Sequence, residues 1–537
     1  MIPSPRAQAL PAIITAARAG ALGHAWSLFE SAGLGALAGD PGALAVKGRL
    51  LKDRALASAA DQRVTLFADA ASAYAAADAL VPQPYTAINV ATLTLLAGAP
   101  ERAAEIATAL LAWMETAPDI AETPYYMAAT RAEAELLRGD RLAAQAWLGT
   151  AIEHDPAGWA DHASTLRQCG LILAAQGKDA DWLDRFRPPR SMHYAGHLAI
   201  AADEHRALTD GVMTEIDRAG VGFGYGALAA GSDIVIAETL IRAGAALHVI
   251  LPTAVDTFVA QSVAPYGADW TRRFDACLAA ATDVRAATSA SGGYEPVATG
   301  LAADLAMGAA VLNAHLLESS ALQLLVVDDG PGRYGEGRGT ARDGERWAQS
   351  GREQNVLVAP RTTPVVASAR RAPEGRPDRR LAAMLHIALA GVDTLDDGGF
   401  AEALDSAIAP LHDLLHASSI RPDLTLPVGN ARIVAFEAPE AAWAYAAPLL
   451  ASATAEYPLR IAAHYGLVHR LADPAAIVGR SVTELLQIAH AALPGTLTAS
   501  ESFATALMTG SGRPPRAEPI GEVEAIRLFA LAARTDQ

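Results

Sequence analysis

Cysteine is almost absent from this sequence. Cys169 and Cys277 are the two cysteines among 537 residues, and they lie far apart in the chain. Two isolated cysteines provide neither the paired spacing of a zinc site nor the dense cross-links of a small secreted domain. The sequence therefore predicts no disulfide framework and no metal site.

Excess positive charge and long apolar runs are also missing. Lys and Arg number 42 against 59 Asp and Glu, which gives a net charge of −17. Proteins that bind nucleic acid need a basic surface, so this balance argues against a nucleic-acid partner. No run approaches the roughly 18 strongly apolar residues of a membrane span. The N-terminal segment MIPSPRAQALPAIITAARAGALGHAW lacks a basic stretch followed by a clean apolar one, so we predict no secretory signal, no membrane partner and a cytoplasmic location.

Aromatic residues make up only 6% of the chain, and much of its 51% hydrophobic fraction is alanine. Such a composition favours helices that pack closely through small side chains. Residues 1–185 show one helical pattern after another, and the clearest helix–turn–helix unit is 125–156. Ala132, Ala144 and Ala151 fall where a tetratricopeptide (TPR) unit needs small residues. We predict a TPR-like helical array with a surface for a protein partner; a helical bundle without repeats is the alternative.

Strands alternate with helices over residues 190–365. Strand patterns occur in HYAGHLAI at 193–200, HVILP at 248–252, LQLLVVDD at 322–329 and NVLVAP at 355–360, with helical patterns between them. A continuous apolar run such as LQLLVVDD is typical of a strand that is buried on both faces. This alternation predicts a central Rossmann-like parallel α/β domain.

Two glycine-rich stretches in this region lie at the predicted carboxyl ends of strands, where ligands bind in such sheets. From the first, GYGALAAGSD, the predicted ligand-binding residues are Gly224, Gly226, Gly231, Ser232 and Asp233. From the second, they are Gly337, Gly339 and Thr340. Glycine lets backbone N–H groups approach a phosphate, and a helix N-terminus favours negative charge, so the predicted ligand is a nucleotide or another phosphate compound. The alternatives are a tight turn for the first stretch and a surface loop for the second.

A polar linker is predicted at 361–380, and a third region follows at 381–537. Strand and helix patterns alternate there, and the final VEAIRLFALA is predicted to form an edge strand. Four segments carry a resemblance to the class III nucleotidyl cyclase domain: LAAMLHIALAGVDTL at 381–395, VGNARIVAF at 428–436, LRIAAHYGLVH at 459–469 and IVGRSVTELLQIAHAALPGTLTAS at 477–500. The resemblance implies an α+β domain of the ferredoxin-like type.

The cyclase resemblance implies four catalytic positions, and this sequence departs from the family at each. In the family, two carboxylates hold divalent ions on the triphosphate, while an Asn and an Arg position the ribose and stabilise charge. Ala388 and Asn430 stand at the carboxylate positions, and Thr483 and Gln487 stand at those of the Asn and the Arg. The resemblance therefore implies a catalytically inactive cyclase-like domain that binds a nucleotide weakly, dimerises or acts as a scaffold. Since cyclase-like domains commonly pair, we expect a homodimer.

The first two regions carry further resemblances. PYTAINVATLTLLAG at 84–98, the unit at 125–156 and LRQCGLILAAQG at 166–177 resemble the TRAFs-binding-type helical domain of bacterial proteins, which precedes a Rossmann-like domain and often a cyclase domain. The middle region is similar to the nucleotide-binding superfamily of sensor (SLOG/LOG-like) proteins, lysine-decarboxylase-like phosphoribohydrolases and DNA-processing protein A. The residues that carry this similarity are those of the two glycine-rich stretches.

Together these resemblances imply a signalling or regulatory protein. The central domain is expected to sense a nucleotide-like ligand, and the helical array is expected to bind a protein partner. No cofactor is predicted beyond that ligand. One alternative is a nucleotide-processing hydrolase of the phosphoribohydrolase type, although no carboxylate has a convincing spacing from the glycine stretches. The other alternative is a pure protein-interaction scaffold.

Overall fold

The chain divides into two compact units. In this computed structural model, the described residues are 5–117, 120–288, 296–328, 339–362, 379–452, 456–472, 475–510 and 514–533. Among these residues, the first unit comprises those within 5–188 together with Leu316–Glu318, and the second comprises those within Pro189–His315 and 319–533.

The first unit is built from consecutive helices. They are α1 (Pro5–Arg18), α2 (Leu22–Ser31), α3 (Pro41–Ala57), α4 (Ala60–Leu80), α5 (Pro84–Leu96), α6 (Pro100–Thr116), α7 (Pro124–Arg138), α8 (Arg141–His154) and α9 (Trp159–Ala175). Neighbours along the chain pack against each other, as in the pairs α3 with α4, α5 with α6 and α7 with α8. The predicted helical array is therefore confirmed.

Local signals fix the ends of these helices. Proline is the first residue of α3, α5, α6 and α7, a position where the missing N–H has no helical partner to lose. The side chains of Asp40, Thr123 and Asp140 each accept a hydrogen bond from a backbone N–H in the first turn of α3, α7 and α8. Ala132 and Ala144 are completely buried, so helices α7 and α8 approach closely, as predicted for a TPR-like unit.

The second unit contains two separate sheets, the first of which is six-stranded and entirely parallel. Its strands are β1 (Arg190–Gly196), β2 (Val221–Gly226), β3 (Ala246–Leu251), β4 (Asp283–Ala286), β5 (Ala321–Val327) and β6 (Gln354–Val358), in the order β4-β3-β2-β1-β5-β6. The helices that connect them are α10 (His205–Ala219), α11 (Ser232–Arg242), α12 (Val255–Ser262), α13 (Ala268–Ala280), α14 (Pro296–Leu316) and α15 (Gly339–Gln349). The predicted parallel α/β arrangement is confirmed.

Helices cover both faces of the parallel sheet. Helices α10, α11 and α13 pack over one face, on which Met192 and Leu324 lie. On the other face α14 packs over Tyr225 and Ile250, and Trp347 of α15 stacks on His193. The helix after β1 and the helix after β5 therefore lie on opposite faces. Because β1 and β5 are neighbours, the carboxyl edge between them is the switch point at which open α/β sheets bind ligands.

The second sheet is mixed. Its strands are β7 (Arg379–Leu389), β8 (Leu424–Val428), β9 (Ala431–Phe436), β10 (Leu459–Ala472), β11 (Ala475–Val478), β12 (Thr496–Ser500), β13 (Arg516–Val523) and β14 (Ile526–Ala532). The order is β13-β14-β12-β10-β7-β9-β8, with β11 paired to β10, and β10 with β12 is the parallel pair. The helices are α16 (Asp397–Ala403), α17 (Ala409–Ala417), α18 (Pro439–Ser452), α19 (Arg480–Ala491) and α20 (Glu501–Met508). Strands β7 to β10 have the β-α-β-β-α-β connectivity of ferredoxin-like folds.

One prediction for this sheet was wrong. The final VEAIRLFALA is not a single edge strand, because Glu524 and Ala525 have φ angles of 48° and 65° and form a turn between β13 and β14. Strand β14 pairs on both sides, with β12 and with β13, so β13 is the edge. The sequence signal for β13 is weak because Pro519 and Gly521 interrupt it, at the position where the pairing register shifts.

Helix α14 joins the two sheets of the second unit. Among the described helices it alone is long and apolar enough to span a membrane by length and composition. In this fold it is a packed core helix. Ala302, Ala306 and Ala310 lie against the parallel sheet, and a Cβ placed on Gly308 would lie 1.8 Å from the carbonyl oxygen of Thr505 in α20. The backbones of α14 and α20 are therefore in direct contact at Gly308.

Candidate functional site

Three chain segments meet at the end of β1, where the parallel sheet has its switch point. The two carboxylate oxygens of Asp233, in the first turn of α11, accept hydrogen bonds from the backbone N–H groups of Gly196, at 3.1 Å, and Ala229, at 3.2 Å. Thr340, in the first turn of α15, donates its hydroxyl to the carbonyl of Gly196 at 3.3 Å. The N-termini of α11 and α15 thus converge on Gly196.

Gly231 and Ser232 hold the start of α11 against the segment that follows β1. Gly231 has a φ of 131°, and a Cβ there would lie 2.8 Å from the carbonyl oxygen of His197. The hydroxyl of Ser232 donates to the same carbonyl at 2.7 Å. A side chain at Gly231 would therefore push α11 away from the end of β1, and this glycine is needed for a close backbone approach.

Gly224 and Gly226 do not belong to the predicted turn. Both lie inside β2, where a Cβ on Gly224 would be 2.3 Å from Leu240 of α11 and a Cβ on Gly226 would be 2.5 Å from the ring of Tyr194. Their structural role is to admit Leu240 and Tyr194 to the surface of the sheet. Of the three glycines in the first stretch, only Gly231 lies in the connection between strand and helix.

The second glycine-rich stretch is described in part. Gly337 lies outside the described residues. Gly339 is the first residue of α15. Gly339 and Thr340 therefore begin the helix on the carboxyl edge, as the sequence predicts.

A buried cluster of charged residues extends this edge towards α14. Arg342 of α15 places Nη2 at 2.8 and 2.9 Å from the two carboxylate oxygens of Asp304 in α14. Its Nη1 lies 3.3 Å from Oδ1 of Asp343. Arg346 reaches Asp304 at 3.5 Å from the neighbouring turn. Neither Asp304 nor Asp343 was predicted from the sequence; the one available signal was an acidic residue inside the apolar helix LAADLAMGAAVL.

Burial raises the pKa of two carboxyl groups in this region to near neutral pH. It raises the pKa of Asp233 to about 7, although the N–H groups of Ala229 and Gly196 oppose the shift. Burial also raises the pKa of Asp343 to about 7 against the opposing charge of Arg342. Carboxyl groups with such pKa values at a sheet edge mark a candidate functional site.

Stability should depend on pH through these carboxyl groups. The pKa of Asp343 in the folded state lies above its value in the unfolded chain, so folding binds a proton and the free energy of unfolding falls as pH rises from about 4 to about 7. Each pKa unit corresponds to about 1.4 kcal/mol. Asn at this position cannot lose a proton, so Asp343→Asn should lack this fall in the free energy of unfolding. The stability of the variant relative to wild type should therefore be higher at pH 8 than at pH 5. Denaturant titrations at the two pH values measure the difference.

The control for this experiment is Asp217→Asn, which changes an exposed carboxylate on α10. The stability difference between Asp217→Asn and wild type should be the same at both pH values. An equally constant difference for Asp343→Asn would contradict the buried, proton-binding state assigned to Asp343.

The four positions implied by the cyclase resemblance lie on the second sheet and its helix. Ala388 of β7 pairs with Arg460 of β10. Asn430 lies in the turn between β8 and β9 and donates its side-chain amide to Oδ1 of Asp393 at 3.1 Å. The remaining two, Thr483 and Gln487, lie on α19.

The surroundings of Ala388 do not suit a divalent cation. Arg460 lies directly opposite on the same face of the sheet, and its Nε is buried without a hydrogen-bond partner in the described part of the chain. Burial lowers the pKa of His386, and the charges of His490 and Arg460 lower it further. The described residues contain no group of three or more His, Cys, Asp or Glu that could hold a metal ion. The residues present therefore do not fit the metal site of the resemblance.

One family model matches part of the first unit. Residues 4–94 match TPR-S, described as Tetratricopeptide Repeats-Sensor. The match confirms tetratricopeptide-like repeats at the N-terminus, while the unit predicted most clearly, 125–156, lies outside it. No curated protein matches the chain.

Several solved structures of cyclase domains are similar to part of the chain. The adenylyl cyclase CyaB from P. aeruginosa is 13% identical, with a TM-score of 0.25 and coverage of 29% of this chain and 96% of that one. The guanylate cyclase domain of RhGC from Catenaria anguillulae in complex with GTP is 15% identical, with a TM-score of 0.24 and coverage of 29% and 98%. The adenylate/guanylate cyclase/hydrolase from Silicibacter pomeroyi is 17% identical, with a TM-score of 0.22 and coverage of 29% and 99%.

Proposed function

We propose that this protein is a regulatory protein that binds a nucleotide-like ligand at the carboxyl edge of its parallel sheet and offers its helical array to a protein partner. The observation that carries the proposal is the convergence of two helix N-termini, those of α11 and α15, on Gly196 at the switch point. Helix N-termini present free N–H groups and a positive dipole end, which suit a phosphate.

The charged cluster supplies the side chains for such a ligand. The side chain of Arg342 is 42% exposed, whereas that of its partner Asp304 is 1% exposed. Asp304 therefore holds the guanidinium in place while part of it faces solvent, and a fixed guanidinium suits phosphate recognition. With pKa values of about 7, Asp233 and Asp343 are partly protonated at neutral pH, which reduces their repulsion of an anionic ligand.

The cyclase-like domain is proposed to be catalytically inactive and to respond to the ligand site. Asp304 lies one helical turn from Gly308, the residue through which α14 touches α20. Arg346 donates Nε to the hydroxyl of Thr509 at 2.9 Å and Nη2 to Glu440 at 3.1 Å. A ligand that draws Arg342 or Arg346 away from Asp304 would thereby act on contacts of α18 and α20.

The helical array supports the second half of the proposal. Its N-terminal helices match a family of tetratricopeptide repeats, and such repeats generally bind proteins through the surface that stacked helices create. The array exposes large apolar side chains, among them Tyr85 and Leu142, which are 47% and 77% exposed. A protein partner is therefore proposed for this unit.

A nucleotide-processing hydrolase is the second candidate function. The raised pKa of Asp343 favours it, because a carboxyl group that titrates near neutral pH can act as a general acid or base. It requires a reaction at the carboxyl edge, whereas the leading proposal requires binding alone.

A calorimetric titration of the full chain with a panel of nucleotides and dinucleotides tests the binding site. We expect one class of nucleotide to bind, and Thr340→Val to weaken that binding by about tenfold because it removes the hydroxyl beside Gly196. Thr214→Val is the matched control, since the hydroxyl of Thr214 lies on the exposed side of α10 and donates to the carbonyl of Asp210. Equal affinities for both variants would move the ligand away from the carboxyl edge, and no binding across the panel would favour the pure scaffold.

A further inference from the structure

A cavity of ≈ 280 Å³ lies at the opposite edge of the parallel sheet, beside the amino ends of β1, β5 and β6. Arg190, Arg352 and Glu353 form its charged wall, and Val311 and Ala314 of α14 form its apolar wall. Liquid water occupies about 30 Å³ per molecule, so the space equals that of about nine waters. The cavity is large enough for a small organic molecule and is separate from the carboxyl-edge site.

Two carboxylates near the cavity are already paired. Glu353 accepts a hydrogen bond at 2.7 Å from Arg190 and another at 2.8 Å from Arg218. Arg218 also pairs with Glu215 at 2.8 Å. These hydrogen bonds lower the pKa of Glu353 to about 2, so it is fully ionised at neutral pH. The two carboxylates therefore balance the charges of Arg190 and Arg218.

Arg352 is left over from this balance. It makes no hydrogen bond or ion pair with any residue in the described ranges, and its Nη1 is buried without a partner. Burial lowers the pKa of Arg352, with no carboxylate to oppose that effect. Nε of Arg190 is buried without a partner as well. The three arginines near the cavity outnumber the two carboxylates by one. The positive charge without a counter-charge is that of Arg352, whose guanidinium has lost part of its hydration.

A desolvated guanidinium without a counter-charge is unfavourable, and an anion in the adjoining cavity removes that penalty. We propose that the cavity binds a small phosphomonoester, with Arg352 as its counter-charge and the apolar wall of α14 against its organic part. Arginine suits this class because its planar guanidinium forms paired hydrogen bonds to phosphate oxygens. The site is independent of the nucleotide site proposed above.

The test uses the full chain, with inorganic phosphate and ribose 5-phosphate as probes and neutral ribose and citrate as comparisons. We expect ribose 5-phosphate to bind by calorimetry and to raise the melting temperature, and Arg352→Gln to weaken that binding at least about tenfold. Arg272→Gln is the matched control, because Arg272 is an exposed arginine of α13 paired with exposed Asp269. The control should bind like wild type. If inorganic phosphate also binds, the contact between the phosphate group and Arg352 is sufficient for binding, which supports the proposal.

Several binding results would overturn the proposal. Among them are no binding of either phosphate probe, equal binding by Arg352→Gln and Arg272→Gln, and binding of citrate in preference to ribose 5-phosphate. Thr340→Val separates the two sites: it should leave ribose 5-phosphate binding unchanged, and loss of binding there would assign the probe to the carboxyl edge.

A second variant checks that Arg352 serves a ligand rather than the fold. Without ligand, Arg352→Met should melt at the same temperature as wild type or higher, because it removes an unpaired, desolvated charge and keeps the apolar part of the side chain. A clear fall in melting temperature would show that Arg352 stabilises the protein itself, which contradicts the role proposed for it.

Discussion

Gly308→Ala should destabilise the second unit by about 3 kcal/mol and loosen the contact between its two sheets. A Cβ at this position would lie 1.8 Å from the carbonyl oxygen of Thr505 and 2.3 Å from its carbonyl carbon. Both atoms belong to the backbone of α20, so no side-chain rotation relieves the clash. Helix α14 or α20 has to move, and thermal unfolding of the full chain measures the loss.

Gly300→Ala is the matched control for this variant, because it makes the same change in the same helix. A Cβ on Gly300 would lie 3.7 Å from the nearest atom, in the guanidinium of Arg342, which is ordinary contact. Alanine favours a helix over glycine by about 1 kcal/mol, so Gly300→Ala should be neutral or stabilising. If the two variants melted alike, the backbone contact between α14 and α20 would be disproved.

Asp304→Ala should cost about 1.5–3 kcal/mol of folding free energy, which is the usual worth of hydrogen bonds between charged groups, because the side chain of Arg342 is 42% exposed and keeps Asp343 as a partner. Asp304 is almost completely buried and binds Arg342 through both carboxylate oxygens. Without it, Arg342 and Arg346 keep their charges beside an apolar helix. Chemical denaturation of the full chain is the measurement, and the transition of the second unit should shift.

An exposed ion pair provides the control for Asp304. Asp269 pairs with Arg272 on the surface of α13, and exposed pairs contribute no more than about 1 kcal/mol. Asp269→Ala should therefore change stability little. If Asp304→Ala proved as mild as Asp269→Ala, the carboxylate would not hold Arg342 in place, and the argument for a fixed phosphate-binding guanidinium would fail.

Periodic and apolar patterns predicted most of the architecture. The buried alanines of α7 and α8 recur at helical spacing, and the run LQLLVVDD marked β5 because both its faces are covered by helices. The order of the strands in the sheet could not be predicted from the sequence, because the pairing of β1 with both β2 and β5 depends on contacts between residues far apart in the chain. Strand β13 was missed because Pro519 and Gly521 hide its pattern.

The candidate site was less predictable than the fold. Four of the predicted residues lie at the carboxyl edge: Gly231, Ser232, Asp233 and Thr340. They make close contacts with the residues at the end of β1, and a sequence motif does not reveal such contacts. Gly224 and Gly226 were predicted to bind the ligand beyond the end of a strand, because glycine alone does not distinguish a loop from a strand under a closely packed helix. Asp304 meets Arg342 across 38 positions of sequence, so only the fold brings the pair together.

In the proposed function, the carboxyl edge binds a nucleotide-like ligand without converting it. Equilibrium binding to the full chain, followed by chromatography of the same samples after prolonged incubation with Mg²⁺, distinguishes binding from conversion. We expect a saturable complex from which the nucleotide is recovered unchanged, with neither cyclised nor hydrolysed product. Product that accumulates with time and disappears in Asp343→Asn would contradict it and would make the protein a nucleotide-processing enzyme.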